Sequence, residues 1–308
     1  MSADVAAVIV SYETRELTLR CAASALAEGV RVVVVDNASA DGTVAALRER
    51  LEGRIDLVAS ARNLGFGAAV NLGAARVPGA RWILVLNADV ELLPGSVAAL
   101  RAAGEADPGS AILGPTVLGV DGRPQLSVRG HPTRLALLHQ HTALRFLRVG
   151  SHAYRDYRSP PASAECVLMG AAMLVRGDDF RALGGFDPRY FLYFEDADLC
   201  RRASQSGRGV RFVPAATVRH ASGASADHDR ERALTWYLTS LFRYVDRFDG
   251  RGRGLVYRAY FKPLFLVRMA TDFVRDAAGA LAGRRGKTVE LRTAGRFVVR
   301  GLWGFLVA

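Results

Sequence analysis

Short runs of β-branched and apolar residues alternate along the chain with stretches in which apolar positions recur every three to four residues. The runs VAAVIVSY (5–12), RVVVVD (31–36), IDLVAS (55–60) and WILVLN (82–87) lack the alternation of a half-exposed strand. Continuous apolar runs of this length predict strands covered on both faces. Between them, RELTLRCAASALAE (15–28), TVAALRERL (43–51) and GAAVNLGAA (67–75) carry the helical spacing. Repeated strand–helix–strand units predict a parallel sheet with helices on both faces, and ligands in such sheets sit at the carboxyl ends of the strands.

After residue 110 the rhythm changes. AILGPTVLGVDGRPQLSV (111–128) reads as two strands around an Asp121-Gly122 turn. Residues 131–164 have no clear period and read as a loop and helix lying over the site. ECVLMGAAMLVR (165–176) predicts one strand, 196–207 a helix and GVRFVP (209–214) a further strand. From about 229 the pattern is helical to the end, with breaks near Gly250–Gly254 and Gly283–Gly286. Two parts result: an α/β domain over 1–225 and a helical region over 226–308.

Charge sharpens this division. The 308 residues carry a net +11, but residues 251–308 hold 12 Lys and Arg against 3 Asp and Glu, so only +2 belongs to the first 250. The basic character is a property of the tail and points to an anionic partner such as a membrane surface or phosphate. The tail has few aromatic residues able to stack on bases and no nucleic-acid motif, which argues against nucleic acid. Pro263 reads as the first residue of a helix on which Arg268, Asp272, Arg275 and Asp276 share one arc and apolar residues cover much of the rest. Trp303 and Phe305 suit the headgroup boundary. Packing of these helices on the first domain is the alternative. No uncharged apolar run reaches the roughly 18 residues of a spanning helix. The N-terminus lacks the charged and cleavage regions of a signal peptide. The three cysteines, Cys21, Cys166 and Cys200, are scattered, which predicts free thiols and a cytoplasmic setting.

The chemistry is expected at the strand ends. Asp36 and Asn37 close the second strand, where a carboxylate can accept from a pyrimidine N–H or a ribose hydroxyl; a helix-capping loop explains them equally well. Gly65-Phe66-Gly67 lacks the third glycine of a dinucleotide fingerprint. It reads better as a turn that lets backbone approach a sugar or phosphate. Asn87-Ala88-Asp89 ends a buried strand, where a carboxylate can hold a divalent cation; the alternative is a side-chain-capped turn. In YFLYFEDADLCRR (190–202), Glu195, Asp196 and Asp198 follow an aromatic run. They are either the acidic first turn of a helix or a reactive carboxylate walled by aromatic rings. His220 follows another strand end.

In order, VIVSYE, VVVVDNASADGT, ARNLGFGAAVN, LVLNADV, GAAMLVRGDDFRALGGFD, YFEDADLCRR and VPAATVRH span roughly residues 5–222. Together they resemble bacterial family 2 glycosyltransferases of GT-A fold, inverting enzymes. The nearest look is to rhamnosyltransferases acting on polyprenyl-diphospho-N-acetylglucosamine. The resemblance implies a mixed, mostly parallel sheet and transfer of a sugar, dTDP-L-rhamnose being the preferred donor, to a polyprenyl-diphosphate-linked glycan. It places Ser11 and Tyr12 by the nucleotide, Asp36 on the pyrimidine with Asn37 beside it, and Asn63, Gly65 and Phe66 along the donor site. Asp89 becomes the metal-binding aspartate of a DxD motif, for Mg²⁺ or Mn²⁺, with His220 as a further ligand. Asp196 becomes the base and Arg202 the arginine near the diphosphate. The motif departs at Asn87, where the first carboxylate is absent, and at Ala88, where that subgroup usually has proline. Such an enzyme works at the inner face of the cell membrane as a peripheral protein. The alternatives are a glycosyltransferase using a different nucleotide sugar and a nucleotide-sugar-binding protein that has lost catalysis.

Overall fold

The computed structural model describes residues 2–144, 166–221 and 230–281. These fall into two compact units, one of residues up to 131 together with 166–221, the other of 132–144 together with 230–281.

The first unit is built on an eight-stranded mixed sheet. Its order is β3 (Asp56–Ala59), β2 (Val30–Asp36), β1 (Ser2–Ser11), β4 (Trp82–Asn87), β9 (Ala172–Arg176), β6 (Ser110–Leu118), β10 (Gly209–His220) and β5 (Val90–Leu92). The β3-β2-β1-β4 half is parallel, β9 runs antiparallel between β4 and β6, and β10 is parallel to β6 and antiparallel to β5. Both faces are covered, as the apolar runs require. Val5, Ala7 and Ile9 of β1 face one way with Val32, Val34, Leu84 and Leu86, under α1 (Arg15–Ala27), α2 (Thr43–Leu51) and α4 (Ser96–Ala106). On the other face α3 (Phe66–Ala74) lies so close that a Cβ on Gly73 would sit 2.5 Å from Val8 Cγ1. The cysteines are free and buried.

Three expectations change. The apolar run at 165–176 is two strands: β8 (Cys166–Leu168) pairs with β7 (Val128–Gly130) in a separate two-stranded sheet, and only β9 joins the main sheet. Glu165 lies outside the described residues. Correspondingly, 111–128 is not a long hairpin. The chain turns at Gly119–Gly122, keeps a single bridge between Leu118 and Pro124, and then leaves to form β7. β10 continues past Pro214 to His220, because the register slips between Val213 and Thr217 and spares the proline a ladder bond.

The second unit holds α5 (Arg134–His141), α8 (Arg230–Asp249) and α9 (Arg251–Leu281). The turn at Gly250 has φ of 88°, which glycine adopts without cost. Pro263 lies inside α9 rather than opening a helix. Its lost hydrogen bond is offset by packing: Tyr257, Phe261 and Phe265 are buried, and the first two close edge-on against Phe242 of α8. Arg268 and Arg275 both reach Asp272, as the shared arc requires. The expected loop at 145–164, the break at Gly283–Gly286 and the aromatic pair Trp303 and Phe305 lie outside the described residues, as does the side chain of Asp276.

Candidate active site

Parallel register brings three strand ends together: Ser11 pairs with Asp36, and Val10 with Asn87. Asp36 is 1% exposed. Its Oδ1 accepts from Ser39 N at 3.1 Å, while Oδ2, equally buried, has no hydrogen-bond partner. A carboxylate oxygen left so is costly unless a ligand meets it. Asn37 turns the other way: its amide donates to Asn63 Oδ1 at 2.8 Å and accepts from Leu64 N at 2.8 Å. It thus holds the loop from Asn63 to Gly65, and Asn63 in turn accepts from Gly65 N at 2.9 Å. Ser11 faces inward, its hydroxyl 2.8 Å from that of Thr18, and Tyr12 beside it is half-buried.

The loop leads into α3 through Gly65, whose φ of 81° and ψ of 167° only glycine occupies readily. A Cβ there would stand 2.3 Å from Phe191 O, and the next residue, Phe66, donates its N–H to that carbonyl at 2.9 Å. Asn71, two turns on, pairs both ends of its amide with Phe186 backbone, at 2.7 and 2.9 Å. The segment from 186 to 194 is thereby docked on α3. It ends in two left-handed residues, Tyr193 and Phe194, directly before α7 (Glu195–Gln205). Non-glycine residues in that conformation cost about 1–3 kcal/mol each and collect where a site needs its backbone aimed.

The three acids of α7 are buried. Asp198 is 2.7 Å from Arg202 Nε, and that guanidinium also donates to the carbonyls of Leu183 and Gly185 at 2.6 and 2.8 Å. Arg202, expected near a diphosphate, is committed instead to the 183–185 turn. Glu195 lies against Gly67, with Oε2 unpartnered. Burial, and then the neighbouring Asp196 charge, push its carboxyl up to about 8. Asp196 accepts from Ala197 N at 2.7 Å on Oδ1, and on Oδ2 from Gly170 N at 3.1 Å, with Arg129 Nη2 3.5 Å away.

The turn 169–171 joins this acid cluster to the end of β4. Gly170 N reaches Asp196, and Ala171 O accepts from Asn87 N at 2.9 Å. Two residues on, Asp89 Oδ1 lies 3.2 Å from His220 Nε2, both side chains nearly buried. Gln125 donates its amide N–H to His220 O and turns its oxygen to His220 Nδ1, both at 3.2 Å. That arrangement makes Nδ1 the N–H, so in the neutral ring Nε2 presents its lone pair beside the carboxylate. Adjacent ligands of an octahedral cation at about 2.1 Å are about 3 Å apart. The pair fits a divalent ion that takes its other ligands from a diphosphate and water. Among the described residues no group of three His, Cys, Asp or Glu offers a site by itself.

Gln125, Arg129 and Gly170 are absent from the sequence-based expectation. Polar residues at 125, 127 and 129, alternating with Leu126 and Val128, were a strand-like signal that could have found the first two.

A family model, glycosyltransferase like family 2, matches residues 3–239, and the chain belongs to that family. It is a glycosyltransferase. It is 33% identical over 247 residues to the N-acetylglucosaminyl-diphospho-decaprenol L-rhamnosyltransferase of Mycobacterium tuberculosis, an alignment spanning 72% of this chain and 76% of that protein. Rhamnosyltransferase WbbL of Escherichia coli K12 is 44% identical over 82 residues, 25% of this chain and 30% of that one. A crystal structure of GalNAc-T7 with UDP, GalNAc and Mn²⁺ superposes with a TM-score of 0.56 at 18% identity, covering 80% of this chain. This chain spans about half (51%) of that structure, and the likeness is one of fold. The fold is the GT-A type: a mixed, mostly parallel sheet flanked by helices.

Proposed function

We propose that the protein transfers L-rhamnose, with inversion, from dTDP-L-rhamnose to a hydroxyl of a polyprenyl-diphosphate-linked glycan in cell-wall or polysaccharide synthesis. One observation carries this: an unbroken run of contacts joins the unmatched oxygen of Asp36 to the buried acids of α7, through Asn37, Gly65 and the docked 186–194 segment. A protein that only binds nucleotide sugars needs the first end of that run, not the second. The choice of sugar and acceptor draws on the name of the mycobacterial relative.

In this reading Asp36 accepts from the pyrimidine ring. Asn37 fixes the loop that brings Asn63, Gly65 and Phe66 along the donor, with Tyr12 and Asn87 at neighbouring strand ends. Asp196 takes the proton of the acceptor hydroxyl as its oxygen attacks the anomeric carbon from the face opposite the nucleotide. Asp89 and His220 would hold Mg²⁺ or Mn²⁺, which when bound neutralises charge gathering on the leaving diphosphate. A polyprenyl acceptor lies in a membrane, and α9 suits contact with an anionic bilayer. Val256, Tyr260, Val267 and Val274 are exposed at helical spacing, with exposed Arg251 and Arg253 nearby. No described helix is long and apolar enough to cross the membrane. The enzyme then works as a peripheral protein on the cytoplasmic face, with residues 1–225 as catalytic domain and 226–308 as membrane-associating region.

The test is incubation of the full chain with dTDP, UDP and GDP sugars and a polyprenyl-diphospho-N-acetylglucosamine acceptor, for wild type and Asp196→Asn. Product is expected with dTDP-L-rhamnose. The variant should still bind dTDP but lose about 10²–10⁴ in turnover, the usual cost of a missing general base. Nucleotide binding without product in the wild type would leave a binding protein only.

A further inference from the structure

Three carboxyl groups crowd the first turn of α7, and each is accommodated differently. Asp198 is fully buried against Arg202 of its own helix. Burial raises the Glu195 carboxyl, with the charge of Arg129 opposing it. Asp196 Oδ2 is met at 3.5 Å by Nη2 of Arg129, from a separate element, β7.

We propose that Arg129 is the positioning residue of the base: its guanidinium, with Gly170 N–H, fixes Oδ2 of Asp196. The inference rests on the reading of Asp196 as base. The strand that carries Arg129 is well anchored. Val128 pairs with Leu168, Gly130 with Cys166, and Ser127 O accepts from Met169 N at 2.8 Å. Val128, Cys166, Val167 and Leu168 are buried, so the guanidinium is presented from a fixed support. Gly170 completes the cradle, since a Cβ there would lie 3.3 Å from that of Asp196. The other titratable groups around the pair are Asp198 and Cys200 on α7, Tyr193 in the preceding turn, Cys166 on β8, and Arg202 through Asp198. Arg129 is the cation among them that contacts Asp196. Its side chain is 31% exposed, which tempers the pair's strength.

The experiment is the pH dependence of kcat, read as dTDP release from dTDP-L-rhamnose with the polyprenyl-diphospho-N-acetylglucosamine acceptor. Wild type, Arg129→Gln, Arg129→Lys and Asp196→Asn are compared, with thermal unfolding midpoints to verify folding. Removing the cation disfavours the carboxylate, so in Arg129→Gln the acidic limb of kcat should move up by about one unit, with kcat at neutral pH down about tenfold or more and donor KM unchanged. Arg129→Lys keeps the charge but not the planar fork. It should keep the wild-type limb with kcat reduced about threefold to tenfold, and it decides the matter should the glutamine variant not fold. An unshifted limb in Arg129→Gln, or wild-type kcat with a raised acceptor KM in either variant, overturns the inference and makes Arg129 an acceptor-binding residue. Wild-type turnover by Asp196→Asn would remove the base reading itself. An inactive Asp196→Asn beside an unshifted Arg129→Gln would remove only the role of Arg129.

Discussion

Asp36 ends β2 with one carboxylate oxygen tied to Ser39 N and the other bare, and this asymmetry dictates what its substitution should do. Asp36→Asn can keep the tie to Ser39 through its carbonyl oxygen while changing the bare position from acceptor-only to donor-only. Donor affinity should fall by about 1–3 kcal/mol, the range for a hydrogen bond to a charged group, read by titration with dTDP. Unchanged affinity would detach Asp36 from the nucleotide. Glu195 gives a different kind of prediction. Its carboxyl is raised to about 8 in the folded chain, above the ordinary value of 4.5. Between those values the folded state holds a proton that the unfolded state has released, so stability from this group is full below about 4.5 and drains away as pH rises through about 8. Glu195→Gln, permanently neutral, removes that loss. Its unfolding midpoint relative to wild type should therefore rise from pH 5 to pH 8; a pH-independent difference would show Glu195 ionising normally. Neither behaviour is readable from YFEDADLCRR, because three acids at a helix start look alike until burial and partners tell them apart.

Among elements, the parallel half of the sheet was legible because a strand buried on both faces has to be apolar throughout, as VVVV of β2 is. The same uniformity concealed the break between β8 and β9. With apolar side chains on both sides of Gly170, nothing in the pattern marks where one sheet is left for another. β10 was cut short at Pro214 by a rule that a slip in register evades. Pro263 likewise reads as a helix start until the aromatic packing of Tyr257 and Phe261 is known to hold the preceding turn. The α3 entrance can be tested directly. Gly65→Ala places a methyl into Phe191 O in a backbone region reserved for glycine. It should destabilise the fold by at least about 1–3 kcal/mol and weaken dTDP binding as the 186–194 segment lifts. A chemical-denaturation curve matching wild type would mean the segment is not held there.

For the whole molecule, the uneven charge and the exposed stripe on α9 make one expectation. Full-length protein should sediment with anionic vesicles at low salt. Val256→Asp with Val267→Asp should release it while leaving transfer to a soluble acceptor analogue intact. Equal sedimentation of that double variant would assign the face to something other than lipid. The pairing of the Asn71 amide with Phe186 backbone has a consequence of another sort. Those partners are 115 residues apart in sequence and Gln125 and His220 95 apart, so these two clamps cannot close through neighbours. Contacts so distant are entropically late, so the sheet must collapse before the pocket exists. A chain emerging from the ribosome lacks the first of these clamps until residue 186 is out and the second until residue 220 is out. The nucleotide sugar cannot guide its earlier folding; it can only favour the finished unit, which lays the burden of the slow stage on the bare polypeptide and the cell's chaperones.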